Sequence, residues 1–153
     1  MDTAANISPL EAHLGYWLRF VSNSVSHAFS RKLERLDVTV AEWVILRDLH
    51  GREAVVPSEL ATKLGMSRGA VSKLADRLAA KSLLTRTASA GDRRFQALAL
   101  TPAGLALVPE LSALADQNDA EFFGHLAPAE RAALEGLMRD IVHRHGFRTI
   151  PVA

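Results

Sequence analysis

Apolar residues at Leu10, Leu14, Trp17/Leu18, Val21, Val25 and Phe29 recur three and four apart, the period of one face of an α-helix. Ser8-Pro9-Leu10-Glu11 offers its start: a serine cap, proline at the first helical position and glutamate three residues after the cap. The pattern reaches about Leu36, so this helix is expected to span about 40 Å. A small globule cannot cover that length, and part of it is expected to pack on another chain. Thr39-Val40-Ala41-Glu42 is a second capping box, opening a helix through Trp43, Val44, Leu46 and Leu49 that Gly51 should stop. Pro57 begins a short helix, PSELATKL, with Val56, a poor capping residue, at its cap position. Gly65-Met66-Ser67 breaks it, and a further helix is expected from about Ser67 to Lys81.

From Leu83 the period changes. LLTRTAS and FQALALT are short runs rich in apolar and β-branched residues, separated by the charged turn Ala90-Gly91-Asp92-Arg93-Arg94, which predicts a β-hairpin with a basic tip. Thr101-Pro102 restarts a helix to about residue 125, through Leu105, Val108, Leu111, Ala115 and Phe122. Pro128 opens the last helix, which carries Leu134, Leu137, Met138, Ile141 and Val142 to about His145, where Gly146 ends it. The tail from Phe147 is expected to be flexible. The fold class is therefore mostly α with one small β-hairpin.

With 153 residues, 48% of them hydrophobic, the chain has room for one domain, or one plus an oligomerisation extension, and enough apolar side chains for a core. No apolar run is long enough to cross a membrane, and no basic segment followed by an apolar one marks a secretory leader, so a soluble cytoplasmic protein is expected. Cysteine is absent, which excludes disulfides, thiol nucleophiles and Cys-ligated metals. The net charge of +1 conceals an uneven distribution. Between Pro57 and Arg94, eight basic residues (Lys63, Arg68, Lys73, Arg77, Lys81, Arg86, Arg93, Arg94) face three acids (Glu59, Asp76, Asp92). Residues 102–146 carry seven acidic residues against three basic. A basic middle between neutral and acidic flanks points to a polyanionic partner for that segment, although a solvated charged face reads the same way.

The stretch PSELATKLGMSRGAVSKLAD, Pro57–Asp76, has the requirements of a helix-turn-helix. Ala61 is small where two helices nearly touch, Gly65 can turn left-handed four residues later, and Leu60, Leu64, Val71 and Leu74 lock the helices together. An ordinary helical corner would satisfy these positions too. With Val71, Leu74 and Leu78 facing inward, however, the outer face of the second helix carries Ser67, Arg68, Ser72, Lys73, Asp76 and Arg77. These are short hydrogen-bonding and long basic side chains suited to base edges and phosphates. Gly69 costs this helix about 1 kcal/mol relative to alanine but lets backbone approach DNA. A helix-turn-helix followed by a hairpin tipped with Arg93 and Arg94 is a winged helix, and a wing arginine can enter a narrow minor groove.

These motifs resemble the multiple antibiotic resistance regulator (MarR) family of bacterial winged-helix transcription factors. The family's wing pattern, Asp-x-Arg followed after five residues by Leu-Thr, stands here as Asp92-Arg93-Arg94 and Leu100-Thr101, continued by Pro102-Ala103-Gly104. The resemblance covers about Leu10 to Gly146. It implies a homodimer built from the first and last helices, binding double-stranded DNA at pseudo-palindromic operators, with Arg94 as the minor-groove arginine and Asp92 orienting it. The division it implies is a dimerisation helix over 1–36, a winged helix-turn-helix over 37–101, dimerisation helices over 102–146 and a tail over 147–153. Two positions depart from the family pattern: a polar cap is common where Val56 stands, and glycine where Ser82 ends the recognition helix.

The remaining candidates are weaker. His13, Tyr16, Trp17, Arg19, Phe20 and Trp43 gather aromatic and polar groups on the first two helices. In the resembled family small aromatic or phenolic effectors bind near there, so His13, Tyr16, Trp17, Phe20 and Trp43 form a candidate effector pocket; core packing explains aromatic residues at helical spacing equally well. His143 and His145 face different sides of a helix, and Glu121 with His125 reads as a solvated pair rather than a metal site. No metalloprotease, nucleotide-loop or nucleophile-elbow motif occurs, so neither catalysis nor a cofactor is expected. The reading is a ligand-responsive, homodimeric DNA-binding repressor. The alternative is a winged helix serving as a protein-interaction module that does not bind DNA.

Overall fold

The computed structural model describes residues 6–89 and 92–148; the side chains of 89 and 92–95 lie outside what is described. Among the described residues the order is α1 (Leu14–Glu34), α2 (Val40–Leu49), α3 (Pro57–Leu64), α4 (Arg68–Ala80), strands β1 (Leu84–Ser89) and β2 (Asp92–Leu100), α5 (Pro102–Phe123) and α6 (Pro128–His145). This is the expected mostly helical chain with one antiparallel hairpin.

The first helix starts later than its sequence signal. Leu10–Ala12 form a single 3₁₀ turn, Pro9 rather than Ser8 occupies the cap without a side-chain bond, and His13 is extended (φ −98°, ψ 127°). The Glu11 carbonyl, which an uninterrupted helix would present to a backbone amide, accepts the Trp17 indole N–H at 2.9 Å instead. The other caps form as their residues predict. Thr39 Oγ1 accepts the Glu42 amide at 3.1 Å while Glu42 Oε1 accepts the Thr39 amide at 3.2 Å. Ser67 Oγ accepts the Ala70 amide at 3.1 Å, and Thr101 Oγ1 the Gly104 amide at 3.0 Å. Val56 gives α3 no side-chain cap. Gly65 closes α3 and Gly146 closes α6, with φ of 66° and 62°.

The hairpin pairs Leu84 with Leu100 through Ala88 with Gln96, after which the register shifts so that Ser89 opposes Asp92. Strand β2 thus begins three residues before the expected Phe95, and Asp92, Arg93 and Arg94 belong to the strand rather than to the turn. Val55 adds an antiparallel bridge to Leu98, with amide–carbonyl bonds of 2.9 and 2.8 Å.

One core joins these elements. Leu33 of α1, Ile45, Leu46 and Leu49 of α2, Leu60 of α3, Val71 and Leu78 of α4, Leu98 of β2 and Leu111 of α5 are all essentially inaccessible to solvent. Helix α6 contributes no buried residue. Its Leu137, Met138, Ile141 and Val142 are exposed, as are Leu10, Leu14, Trp17, Leu18 and Phe20 at the start of the chain. No helix is long and apolar enough to cross a membrane among the described residues.

Candidate nucleic-acid interface

The helix-turn-helix is built as its residues require. Buried Ala61 lets α3 and α4 approach, Gly65 takes the left-handed turn, and the Met66 amide returns to the Ala61 carbonyl at 2.9 Å. Val71, Leu74, Ala75 and Leu78 bury one side of α4. The opposite side exposes Ser67, Arg68, Gly69, Lys73, Asp76 and Arg77, with Ser72 half-buried at its edge. Arg68, Lys73 and Arg77 make no ion pair with any described residue. The helix N-terminus lies at this face and adds its partial positive charge.

Six of the eight basic residues of this segment have described side chains, and these are of two kinds. Lys63 binds Asp48 at 2.5 Å, and Asp48 is also held by Arg52 at 2.7 Å, which fixes α3 to the end of α2. Lys81, at the C-cap of α4, donates to Glu42 at 2.9 and 3.3 Å and to the Asp37 carbonyl at 2.5 Å. Arg86 of β1 pairs with Asp76 of α4. These three cations hold the domain together, which leaves Arg68, Lys73 and Arg77 as the cations of this face of α4 without an ion-pair partner among the described residues. Arg93 and Arg94, with Asp92, were singled out for the wing; their side chains lie outside the described residues, and only their backbone, in β2, is described.

Glu42 is only 1% exposed. Burial pushes its carboxyl pKa upward, but bonds from Lys81 and from the Thr39 side chain and amide, with the Lys81 charge, more than offset this and hold it below the usual value. The sequence revealed Glu42 as a capping residue. Its partner Lys81 lies 39 positions away, and no local signal connects them.

The aromatic group separates into two. Tyr16 meets Trp17 and Phe20 edge-on, and Trp17 and Phe20 are tilted to one another, with centroids 5.2 to 6.5 Å apart. They line a groove of about 730 Å³ with Phe122, Phe123, Leu126 and Leu134 of the last two helices and their connection. Those later residues were not assigned to the pocket, because only tertiary packing brings them to α1. Trp43 lies elsewhere, edge-on to Phe29 at 6.4 Å and packed against the core. His13 is exposed before α1 and does not line the groove. The expected single cluster is therefore corrected: its two halves face different surroundings.

Comparison with known proteins agrees with this architecture. Residues 38–95 match the model of the MarR family. The chain is 27% identical to the multiple antibiotic resistance protein MarR of Escherichia coli K12, across 84% of this chain and 90% of that one. Among solved structures it is similar to Bordetella bronchiseptica BpsR, described for regulation of its DNA binding by 6-hydroxynicotinic acid. That likeness has 29% identity and a TM-score of 0.77, covering 89% of this chain and 97% of the other. A mutant E. coli MarR complexed with operator DNA gives 26% identity and a TM-score of 0.76, covering 93% and 99%.

Proposed function

The chain belongs to the MarR family of winged-helix transcriptional regulators, and from that premise we propose that it is a cytoplasmic, homodimeric repressor released from its operator by a small aromatic or phenolic ligand. The observation that carries the DNA-binding reading is the outer face of α4: Arg68, Lys73 and Arg77 are exposed beside Ser67 on a helix whose other face is locked into the core. Arg68 and Lys73, near the helix start, are within reach of base edges. Ser72, Asp76, Arg77 and the backbone at Gly69 complete the face. Arg94, oriented by Asp92 and flanked by Arg93, reads the adjacent minor groove. Operator DNA bound by the E. coli mutant supports this reading.

The test is affinity for duplexes selected by the purified protein, and for scrambled duplexes, across a salt series. Arg68→Ala is expected to cost about 1–3 kcal/mol and to relax preference at one position in each half-site. Arg94→Ala should weaken binding to selected and scrambled DNA alike and make the log-affinity against log-salt slope shallower. A wild-type protein without salt-dependent DNA binding would leave the protein-interaction module as the function.

The groove beside Tyr16, Trp17 and Phe20 is the effector site we assign. Its aromatic lining supports this, as does the 6-hydroxynicotinic acid response described for BpsR. The chain has two tryptophans. Quenching of emission by 6-hydroxynicotinic acid or related phenols should vanish in Trp17→Phe and persist in Trp43→Phe; the reverse pattern places the ligand by α2 instead.

A further inference from the structure

We propose that Arg86 is a positioning residue that fixes the recognition helix against the wing, so that the two DNA-reading elements keep one relative angle. The inference rests on the DNA-binding reading above and adds a residue to it. Arg86 stands on β1, yet its guanidinium reaches three places. Nε donates to Gln96 Oε1 at 2.9 Å, Nη1 donates to the Ser72 carbonyl at 3.3 Å and pairs with Asp76, and Nη2 meets Ser72 Oγ at 3.4 Å. Gln96 opposes Ala88, two residues from Arg86 on the same face of the hairpin, so the bond to Gln96 is a diagonal cross-strand contact. Ser72 and Asp76 are one helical turn apart on one face of α4. The rigid, forked guanidinium therefore grips the recognition helix at two heights and the hairpin on both strands.

The side chain is only 21% exposed, and each of its three nitrogens donates to α4 or to Gln96, whereas Arg68 and Arg77 are exposed. A basic residue of this segment is ordinarily read as a phosphate contact, and the geometry instead directs Arg86 inward. Small errors here are amplified. Eight residues of helix separate Arg68 from Asp76, about 12 Å, so a tilt of about 10° moves the reading end by about 2 Å, enough to break a hydrogen bond. Ser72 and Asp76, both expected on the DNA face, then serve as the grip points rather than as independent readers.

The experiment compares wild type, Arg86→Ala, Asp76→Ala and the double variant. Each is titrated with a duplex selected by the wild type from random sequence and with a scrambled duplex, over a salt series, with thermal melting as the folding control. Arg86→Ala should lose about tenfold or more in the selected-to-scrambled affinity ratio, comparable to mispairing one reader per half-site, with its salt slope unchanged. Asp76→Ala should lose a similar ratio, and the double variant no more than the worse single one. The charge-reversed pair Asp76→Arg with Arg86→Asp should recover part of the ratio, which a merely destabilised fold would not do. If Arg86→Ala melts below the assay temperature, Arg86→Lys replaces it: one bond to Asp76 survives, and an intermediate ratio is expected. A slope shallower by about two units, one per half-site, with both duplexes weakened equally, makes Arg86 a phosphate contact and overturns the proposal. Additive losses, with Asp76→Ala altering one base position, make Asp76 a direct reader and overturn it too. Absence of wild-type DNA binding would instead overturn the function itself.

Discussion

Glu42 shows how much one residue of the helix-turn-helix depends on its surroundings. Its carboxylate closes the cap of α2 and receives the ammonium that ends α4, so it ties the first helix of the winged domain to the recognition helix. A buried carboxylate that loses its charge or its partner leaves donors unsatisfied. Lys81 remains partly exposed and can turn to water, which lowers the cost. Glu42→Gln is expected to lose about 1–3 kcal/mol at neutral pH, measured by urea unfolding. The folded-state pKa lies below that of the unfolded chain, so this stabilisation is present above the unfolded carboxyl pKa of about 4.3 and disappears as pH falls through the folded value. The gap between wild type and Glu42→Gln should therefore close on acidification. A gap that stays constant down to pH 3 would detach the effect from ionisation. At this scale the sequence showed which side chains line α4, because burial follows the helical period. It did not show that Lys63, Lys81 and Arg86 are engaged, because their partners Asp48, Glu42 and Asp76 are joined to them only by the fold.

Elements were legible where their signals are local. The capping box at Thr39, the side-chain caps at Ser67 and Thr101 and the glycine stops at Gly65 and Gly146 each act within a few residues, and each forms. The failures are longer-range. The Trp17 indole interrupts the first helix from six residues away, and the Val55–Leu98 bridge spans the whole helix-turn-helix. Among the described residues, the two left-handed non-glycine residues are Asp37 and Ser82, with φ of 56° and 60°, and the Lys81 ammonium beside Ser82 donates to the Asp37 carbonyl. Glycine is usual in the family where Ser82 stands, and its φ explains why. A second glycine is explained by contact. A Cβ added to Gly104, near the start of α5, would lie 2.2 Å from the Leu83 carbonyl oxygen. That oxygen already accepts the Thr101 amide at 3.1 Å, so neither backbone can retreat without opening the join between hairpin and α5. Gly104→Ala is expected to cost about 1–3 kcal/mol, despite alanine's better helix propensity. Gly136, with open space around its missing Cβ, should gain up to about 1 kcal/mol on the same change. Equal melting temperatures for the two variants would show that the contact at Gly104 relaxes freely.

At the scale of the molecule, one chain leaves too much apolar surface uncovered to be the working unit. Helix α6 has no buried residue, and Leu137, Met138, Ile141 and Val142 are each 45% exposed or more; Leu10 of the opening turn and Leu14 and Leu18 of α1 are more than half exposed. Exposed apolar area of this kind marks an interaction surface. Because the uncovered positions sit at the two ends of the chain, a second copy is the occupant we propose. In a two-fold assembly each such residue counts twice. The sequence suggested this from the length of the first helix and the apolar positions of the last helices; the structure adds that the core is complete without α6. The proposed pairing would also set function, since two recognition helices on one rigid body would enter major grooves about 10 bp apart or a multiple of that. Ile141→Glu should therefore act on assembly first and DNA second. Burying an unpartnered carboxylate costs about 2 kcal/mol per chain, or about 4 kcal/mol per dimer, weakening dimerisation about a thousandfold. Light scattering at micromolar concentration should show wild type as a dimer and the variant shifted to monomer. The variant's winged helix should keep its fold by circular dichroism. Its residual DNA binding should lose the dependence on half-site spacing while keeping a salt dependence about half as steep, because half the phosphate contacts remain. A variant that is monomeric yet still demands correctly spaced half-sites would separate operator recognition from dimerisation and overturn this account of the assembly.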